Sequence, residues 1–308
     1  MHPRSDRILL SLGFIFSWAV SINAQEIRDP VVATVGDRAL VRTQIDQVYH
    51  QKFANRGIGE SLKASLRGQI LDQIIRQQMV LEKLAGTDLR ATSDEIDLEI
   101  SRIRTELSSR GKNLEEQLKE RHSSMSALRF NLDWQISWLR YLERTLTDDV
   151  LQNYFKKHRR RFDGTEIRVA HCFFPIDPNT EEQTNAVSKV AQRLREQIEQ
   201  GEIRFEDAVL NHSSAPSKSQ KGDLGWIQYA GPMSRTFTEA AWDLSPGEIS
   251  KPVKTPQGIH LIKCLEIREG VRPWYDAKSE IRKAATEDLF EMIADRQAAK
   301  TEVQIIEP

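Results

Sequence analysis

The chain has 308 residues, 39% hydrophobic and 29% charged, an ordinary balance for soluble globular protein and enough length for two modest cores. Its 44 basic and 45 acidic residues leave a formal net charge of -1, so no global field argues for nucleic acid or an acidic substrate.

At the N-terminus, Arg4 and Arg7 precede a nearly unbroken apolar run from Ile8 to Val20, and Ser21-Ile22-Asn23-Ala24 ends in a small residue before Gln25. This is the layout of a cleavable secretory signal over residues 1–24. The run is short of the ~20 apolar residues that a spanning helix needs, and no later stretch is apolar enough to cross a bilayer. Cleavage therefore predicts export with no stable membrane insertion; an uncleaved anchor is the alternative.

Val31 to Val35 and Ala39 to Val41 flank Gly36-Asp37 and read as a hairpin. Thr43 is the expected N-cap of a helix running to Ala54, and helices then dominate to about Arg161. Leu62, Leu66, Ile70 and Ile74 recur every four residues, and Val80, Leu81 and Leu84 extend their surface. Thr92 and Glu95 have capping-box spacing ahead of Ile96, Ile100, Ile103 and Leu107, with Gly111 as the stop. Asn113 caps a short helix bearing Leu114 and Leu118, Ser124 a long one from Met125 to Leu146, and Thr147 the next, with Leu151, Tyr154 and Phe155. On the long helix Trp134, Trp138 and Tyr141 form one stripe. A central helix buried by its neighbours is the plain expectation; a groove for apolar client segments is the sharper one. The basic run Lys156 to Arg161 suits a solvated helix C-terminus and, without interleaved aromatics, makes no case for nucleic acid.

From Glu166 the period changes. Ile167, Val169, His171 and Phe173 alternate with Arg168, Ala170, Cys172 and Phe174, a strand pattern broken by Pro175. A polar amphipathic helix follows over 181–200, with Val187, Val190, Leu194 and Ile198 inward and Gly201 as its stop. Then come a short helix from Phe205, a polar loop from Ser213 to Gly222, a strand from Leu224 to Tyr229, and a helix from Ser234 with Met233, Phe237, Ala241 and Leu244 on one face. Strands over Ile249 to Thr255 and His260 to Arg268 close a compact α+β unit. The tail from Tyr275 is an amphipathic helix ending in the apolar run Val303 to Ile306, expected to return to the N-terminal helices and pair near the Val31 hairpin.

No nucleophile–base pair, phosphate loop, GxSxG or HExxH is present. Cys172 and Cys264 are expected to be free, buried thiols on opposite faces of the sheet, and no CxxC or HxxxH spacing provides a metal site. No cofactor is implied. The remaining chemistry lies in the two strand histidines, His171 and His260, and in the apolar residues around GDLG at 222–225.

Three blocks in this order, GDLGW with the following Met233 and Phe237, LSPGEIS with PV at 252–253, and GIHLIK at 258–263, resemble a parvulin-type peptidyl-prolyl cis-trans isomerase over about residues 166–268. The surrounding pattern is similar to exported parvulin chaperones of the SurA and PrsA type. The resemblance implies a four-stranded antiparallel sheet with helices over 166–270, and a mainly helical domain over 25–165 completed by 275–308. It implies that His171 and His260 are the paired histidines at the sheet centre, that Thr255 is the hydroxyl beside them, and that Leu224, Met233 and Phe237 form the proline pocket. The family usually carries Cys or Asp where this chain has Ala215, a side chain thought to act electrostatically on the twisted amide. The implied function is an exported isomerase and foldase, secreted or periplasmic, acting on unfolded proline-containing clients without nucleic acid. The alternative is a chaperone or binding module that keeps the parvulin fold without useful catalysis, which the alanine motivates.

Overall fold

A computed structural model describes residues 29–53, 56–177 and 180–306. The secretory signal expected over 1–24 lies outside them. Among the described residues no helix is long and apolar enough to cross a membrane.

The hairpin forms as β1 (Val31–Val35) and β2 (Arg38–Val41), paired antiparallel. It leads directly into α1 (Arg42–Phe53). Thr43 is not its N-cap. The helix begins two residues earlier than that cap would allow, at Arg42; the Gln44 side chain reaches back to accept the Val41 N–H at 2.7 Å, and the Thr43 N–H and hydroxyl donate to the Asp29 carboxylate. An upstream acid thus takes over the orphan donors that a capping hydroxyl would have served.

Next come α2 (Glu60–Leu84), α3 (Ser93–Ser109), α4 (Leu114–Glu120), α5 (Met125–Thr145) and α6 (Asp148–Lys157). Their starts follow the side chains read from the sequence. Thr92 and Glu95 close a capping box, and Asn113, Ser124 and Thr147 each accept the N–H three residues on. On α2 the buried stripe runs through Ile70, Leu71, Ile74, Ile75 and Met79, but Leu62 is 54% exposed. A strict four-residue step gains about 40° on the helix surface at each repeat, so a stripe spaced by fours leaves the core at its far end.

The tail returns as expected. α10 (Lys278–Ala298) buries Ile281 and Ala285 against Leu146, Leu151 and Phe162, and Ile293 and Ala294 against Val80. Arg76 on α2 bonds Glu291 and, at 2.8 Å, Asp295 on α10. β7 (Val303–Ile305) then pairs antiparallel with β1, so the small sheet has the order β2-β1-β7. The ends of the described chain close one helical unit. Trp134, Trp138 and Tyr141 are half-buried and stacked at 5.2 and 5.6 Å, with Phe290 of α10 edge-on.

The second sheet has the order β4-β3-β6-β5, antiparallel throughout. Its strands are β3 (Glu166–Pro175), β4 (Asp223–Gln228), β5 (Val253–Thr255) and β6 (Gly258–Arg268). The strand expected over Ile249 to Thr255 is cut short. Pro252 has no N–H to give the ladder, and only an isolated bridge, Ile249 to Lys263, precedes β5. One face of the sheet carries α7 (Glu181–Glu199) and α8 (Phe205–His212) over Ala170, Cys172, Phe174 and Leu261. Val190 is not part of that contact, being 50% exposed. The inward row is Thr184, Val187, Ala191, Leu194 and Ile198, which alternates steps of three and four as a helix stripe must. The other face carries α9 (Arg235–Trp242) over Ile167, Val169, Ile262 and Cys264. Cys172 and Cys264 are accordingly free, buried and on opposite faces.

Candidate functional site

The two central strands carry the histidines. Pairing sets His171 opposite Ile262 and His260 opposite Phe173, so the imidazoles are diagonal neighbours on one face, within reach of each other. Their Nδ1 atoms are 3.1 Å apart and their ring centroids 5.3 Å. His171 sits in the middle of β3 rather than at its start.

Two glycines permit this geometry. Gly222 has φ +83°, and a Cβ there would meet the His171 carbonyl at 2.3 Å; its own carbonyl accepts the His171 N–H at 2.9 Å. Gly258, at φ +153°, would place a Cβ 2.3 Å from the Phe174 carbonyl and 2.6 Å from the Phe173 ring. At both positions backbone lies where any side chain would be. Between them, Asp223 accepts the Gly225 N–H at 2.8 Å and Arg168 at 2.6 Å. It organises the irregularity where β4 slips against Val169 and Ala170, and with it the start of the strand that carries Leu224.

Thr255 ends β5 opposite Gly258. Its Oγ1 is 2.9 Å from His260 Nε2 and 3.3 Å from the Gly258 carbonyl, and it accepts the Gln257 N–H at 3.2 Å. One proton arrangement satisfies all these contacts. The hydroxyl gives its single proton to Gly258, so His260 Nε2–H donates to Thr255. That leaves His260 Nδ1 bare to accept from His171 Nδ1–H. The chain of donors runs His171, His260, Thr255 and ends on the Gly258 carbonyl, and it requires His260 to be neutral. Burial supplies that condition, holding His171 at about 4 and His260 at about 4, with the His171 charge adding to the effect at His260.

Over the pair lies a cavity of about 180 Å³ lined by His171, Leu224, Met233, Phe237, Thr255 and His260, together with Pro232, Ser234 and Gln257. Phe237, 3% exposed, meets both imidazoles edge-on at 6.0 and 5.3 Å. Met233 precedes α9 and Phe237 lies in its first turn; Ser234 between them caps the helix through the Phe237 N–H, and both side chains line the cavity. Larger concavities of about 550 and 520 Å³ lie in the helical unit. The first contains the Arg90–Asp133 pair with Glu82 and Gln78, the second Gln47, Gln51 and Glu120. Neither sets a buried, hydrogen-bonded histidine pair against an apolar wall.

Six of the seven residues singled out from the sequence therefore surround one cavity, and Ala215 is not among its lining residues. Ala215 is buried at 6%, heads the 3-10 turn Pro216–Gln220, and gives its N–H to the Ser213 hydroxyl at 3.2 Å. Sequence reasoning missed Phe173, Gln257, Pro232 and Ser234. The Phe173 ring lies 4.9 Å from the His260 ring, and the same period-two alternation that placed His171 on this face would have placed Phe173 there too.

Residues 171–266 match the family model of the PPIC-type PPIASE domain, and residues 7–136 that of the SurA-like N-terminal domain. Among curated proteins, "Chaperone SurA" of Saccharophagus degradans is 26% identical over 269 residues, 83% of this chain and 62% of that protein. "Foldase protein PrsA" of Bacillus subtilis is 28% identical over 236 residues, 74% of this chain and 69% of that protein. The chain thus spans somewhat less than two thirds of the length of the first and slightly more of the second. Among solved structures, a PpiC-type peptidyl-prolyl cis-trans isomerase domain is 28% identical, covering 35% of this chain and 96% of its own, with a TM-score of 0.33. PrsA of Bacillus anthracis is 20% identical, covering 75% and 96%, with a TM-score of 0.38. The two matched segments, read with the sheet and helices that carry them, make this a chain in which a SurA-like N-terminal domain is joined to a PPIC-type PPIase domain.

Proposed function

We propose that the chain is an exported peptidyl-prolyl cis-trans isomerase and foldase that acts on X–Pro bonds of unfolded secreted or envelope proteins. In this reading residues 1–24 are a cleaved signal, 25–165 with 275–308 form the client-handling unit, and 166–270 form the isomerase domain. The observation that carries it is the small cavity in which Leu224, Met233 and Phe237 face a neutral histidine pair.

The chemistry asks little of such a site. Rotation about an X–Pro bond crosses a barrier of ~18–20 kcal/mol set by amide resonance, and no bond is broken and no cofactor used. Acceleration requires only that the twisted amide be bound better than the planar one. Leu224, Met233 and Phe237 grip the pyrrolidine ring and exclude water, which withdraws solvent stabilisation from the polar planar amide. His171, His260 and Thr255 hold the floor of the pocket through their donor chain. Because rotation about the amide breaks no bond and moves no proton, these residues have only to orient and not to transfer protons.

A protease-coupled assay on an X–Pro peptide tests the reading. Micromolar protein should accelerate isomerisation, and Phe237→Ala should lower kcat/KM at least tenfold. No acceleration by the wild type, or full activity in the folded variant, would sink it. Mass spectrometry of exported protein should find Gln25 as the first residue; an intact Met1 would reverse the localisation.

A further inference from the structure

We infer, resting on the isomerase reading above, that Trp242 is a positioning residue for the pocket: by tying the end of α9 to a backbone carbonyl outside the sheet, it sets where Phe237 meets the two histidines.

The helix α9 has only eight residues and carries Phe237, the aromatic wall of the cavity. Its contact with the sheet is apolar, through Phe237, Ala241 and Leu244 over Ile262 and Cys264. Apolar burial is non-directional. It holds the helix down but does not fix its position along its own axis. Directional bonds at the ends do that, and both reach outside the sheet unit. At the N-terminal end Arg235 pairs with Glu287 of α10 at 3.2 Å, an exposed and therefore weak contact. At the C-terminal end the Trp242 indole N–H donates to the Arg160 carbonyl at 2.9 Å, and Trp242 is only 6% exposed.

The acceptor is itself immobilised. Arg160 belongs to the 3-10 turn Arg159–Arg161 that joins α6 to β3. Its guanidinium pairs with Glu269 at 2.8 Å, and Arg161 lies over the Tyr229 ring at 5.2 Å, which in turn meets Trp242 edge-on at 5.4 Å. Beyond the turn, Phe162 is buried in the cluster with Ile281 and Ala285 of α10. The buried Asp163 carboxylate accepts from the Thr165 N–H and hydroxyl at 3.0 and 2.7 Å and from Arg159 at 3.1 Å. Five residues separate Phe237 from Trp242, about 7.5 Å along the axis and about 140° around it. One side chain can therefore face the histidines while the other faces the turn.

Trp242→Phe tests this, because it keeps an aromatic ring and removes the donor. Its kcat/KM on an X–Pro peptide should fall at least fivefold, and the ring-proton NMR resonances of His171 and His260, which Phe237 faces, should shift. Ile100→Val, a core truncation in the separate cluster of α3, α4 and α5, serves as the control and should move neither at equal loss of Tm. The resonances are read whether or not the protein turns over, so an inactive wild type would end the isomerase reading and still leave this inference decided by the shifts. Unmoved resonances with kcat/KM within about 1.5-fold of wild type would overturn it. Should Trp242→Phe fail to fold, Glu269→Gln loosens the acceptor turn by removing the partner of Arg160; it should move the same resonances in the same direction by less, and no movement would count against the inference.

Discussion

Among the described residues two histidine pairs form, and only one lies against the cavity lined by Leu224, Met233 and Phe237. His171 and His260 lie across two central strands, joined edge to edge by an Nδ1–Nδ1 contact and continued into Thr255. His50 on α1 and His122 in the loop between α4 and α5 are closer still, with ring centroids 3.7 Å apart and planes within 14°. They stack face to face at a surface lined by Gln47, Gln51, Glu120 and Arg121. The sheet pair has Phe173 and Phe237 around it; the helical pair has amides and charges. Proximity of histidines is therefore not the mark of a site. What distinguishes the sheet pair is a chain of hydrogen bonds that needs a neutral His260, placed under the apolar wall of Leu224, Met233 and Phe237.

Acid should separate the two pairs by the largest margin. His171 and His260 titrate at about 4 in the folded chain against 6.5 as the ordinary value. Between these limits the unfolded chain binds more protons than the folded one, so stability rises with pH across the window. It is complete above pH 6.5, falls as the pH is lowered toward 4, and loses no more from this source below that. At about 1.4 kcal/mol per pH unit per group, the two shifts bound the loss from the sheet pair at roughly 7 kcal/mol, and their mutual repulsion, shared between the two titrations, lowers it. His50 is also held below its ordinary value, by burial first and the charge of His122 second, but at a wetter position. Urea denaturation at pH 7.0, 5.5 and 4.5 should show that His260→Gln flattens the profile much more than His50→Gln does. Equal flattening by the two would erase the distinction drawn above.

A smaller effect probes the hydrogen-bond chain itself. Thr255→Val keeps the shape of the side chain and removes the hydroxyl between His260 and the Gly258 carbonyl. Thr255 is 4% exposed, so the stranded Nε2–H has no water to turn to, and about 1–3 kcal/mol should be lost. The pH profile should also move: without its acceptor His260 is free to change tautomer, and the midpoint read from its ring resonances should no longer coincide with wild type. A variant with wild-type stability and an unchanged midpoint would show that Thr255 is only a neighbour.

How far the site could be read from sequence follows from which residues obey a period. Alternation put His171 on one face of β3 and Cys172 on the other, and the GDLG and GIHLIK blocks marked the strands that flank the cavity. Alternation could not supply the register, because β6 contributes an extra residue where Arg168 pairs with Glu266 and Val169 with Cys264. Nothing local in the sequence marks that irregularity, yet it sets which rung His260 occupies. The helix caps at Thr92, Asn113, Ser124 and Thr147 were legible because each acts within three residues. The capping of α1 was not, because Asp29 reaches Thr43 from 14 residues upstream. The role of Trp242 was invisible for the same reason on a larger scale, since its acceptor lies 82 residues away.

The smallest expected effect is at His122, and it asks whether the stacked pair does anything. His122 has φ +52°, a left-handed conformation that a non-glycine residue adopts at a cost of about 1 kcal/mol or more. Its loop is held to α1 by independent bonds, Ser123 to Gln47 at 2.9 Å and Ser124 to Thr43 at 2.7 Å. Asparagine tolerates this conformation better than histidine does, so His122→Asn relieves strain while it loses an exposed ring contact. The two should offset to within about 0.5 kcal/mol at pH 7, as surface changes usually do. At pH 5.5 the variant should be slightly the more stable of the two relative to its own value at pH 7, because burial still lowers the His50 titration but the second cause, the charge of His122, is gone. A loss above about 1 kcal/mol at pH 7 would mean that the stack holds the α4–α5 loop in place, and the contrast between a working pair and an idle one would have to be withdrawn.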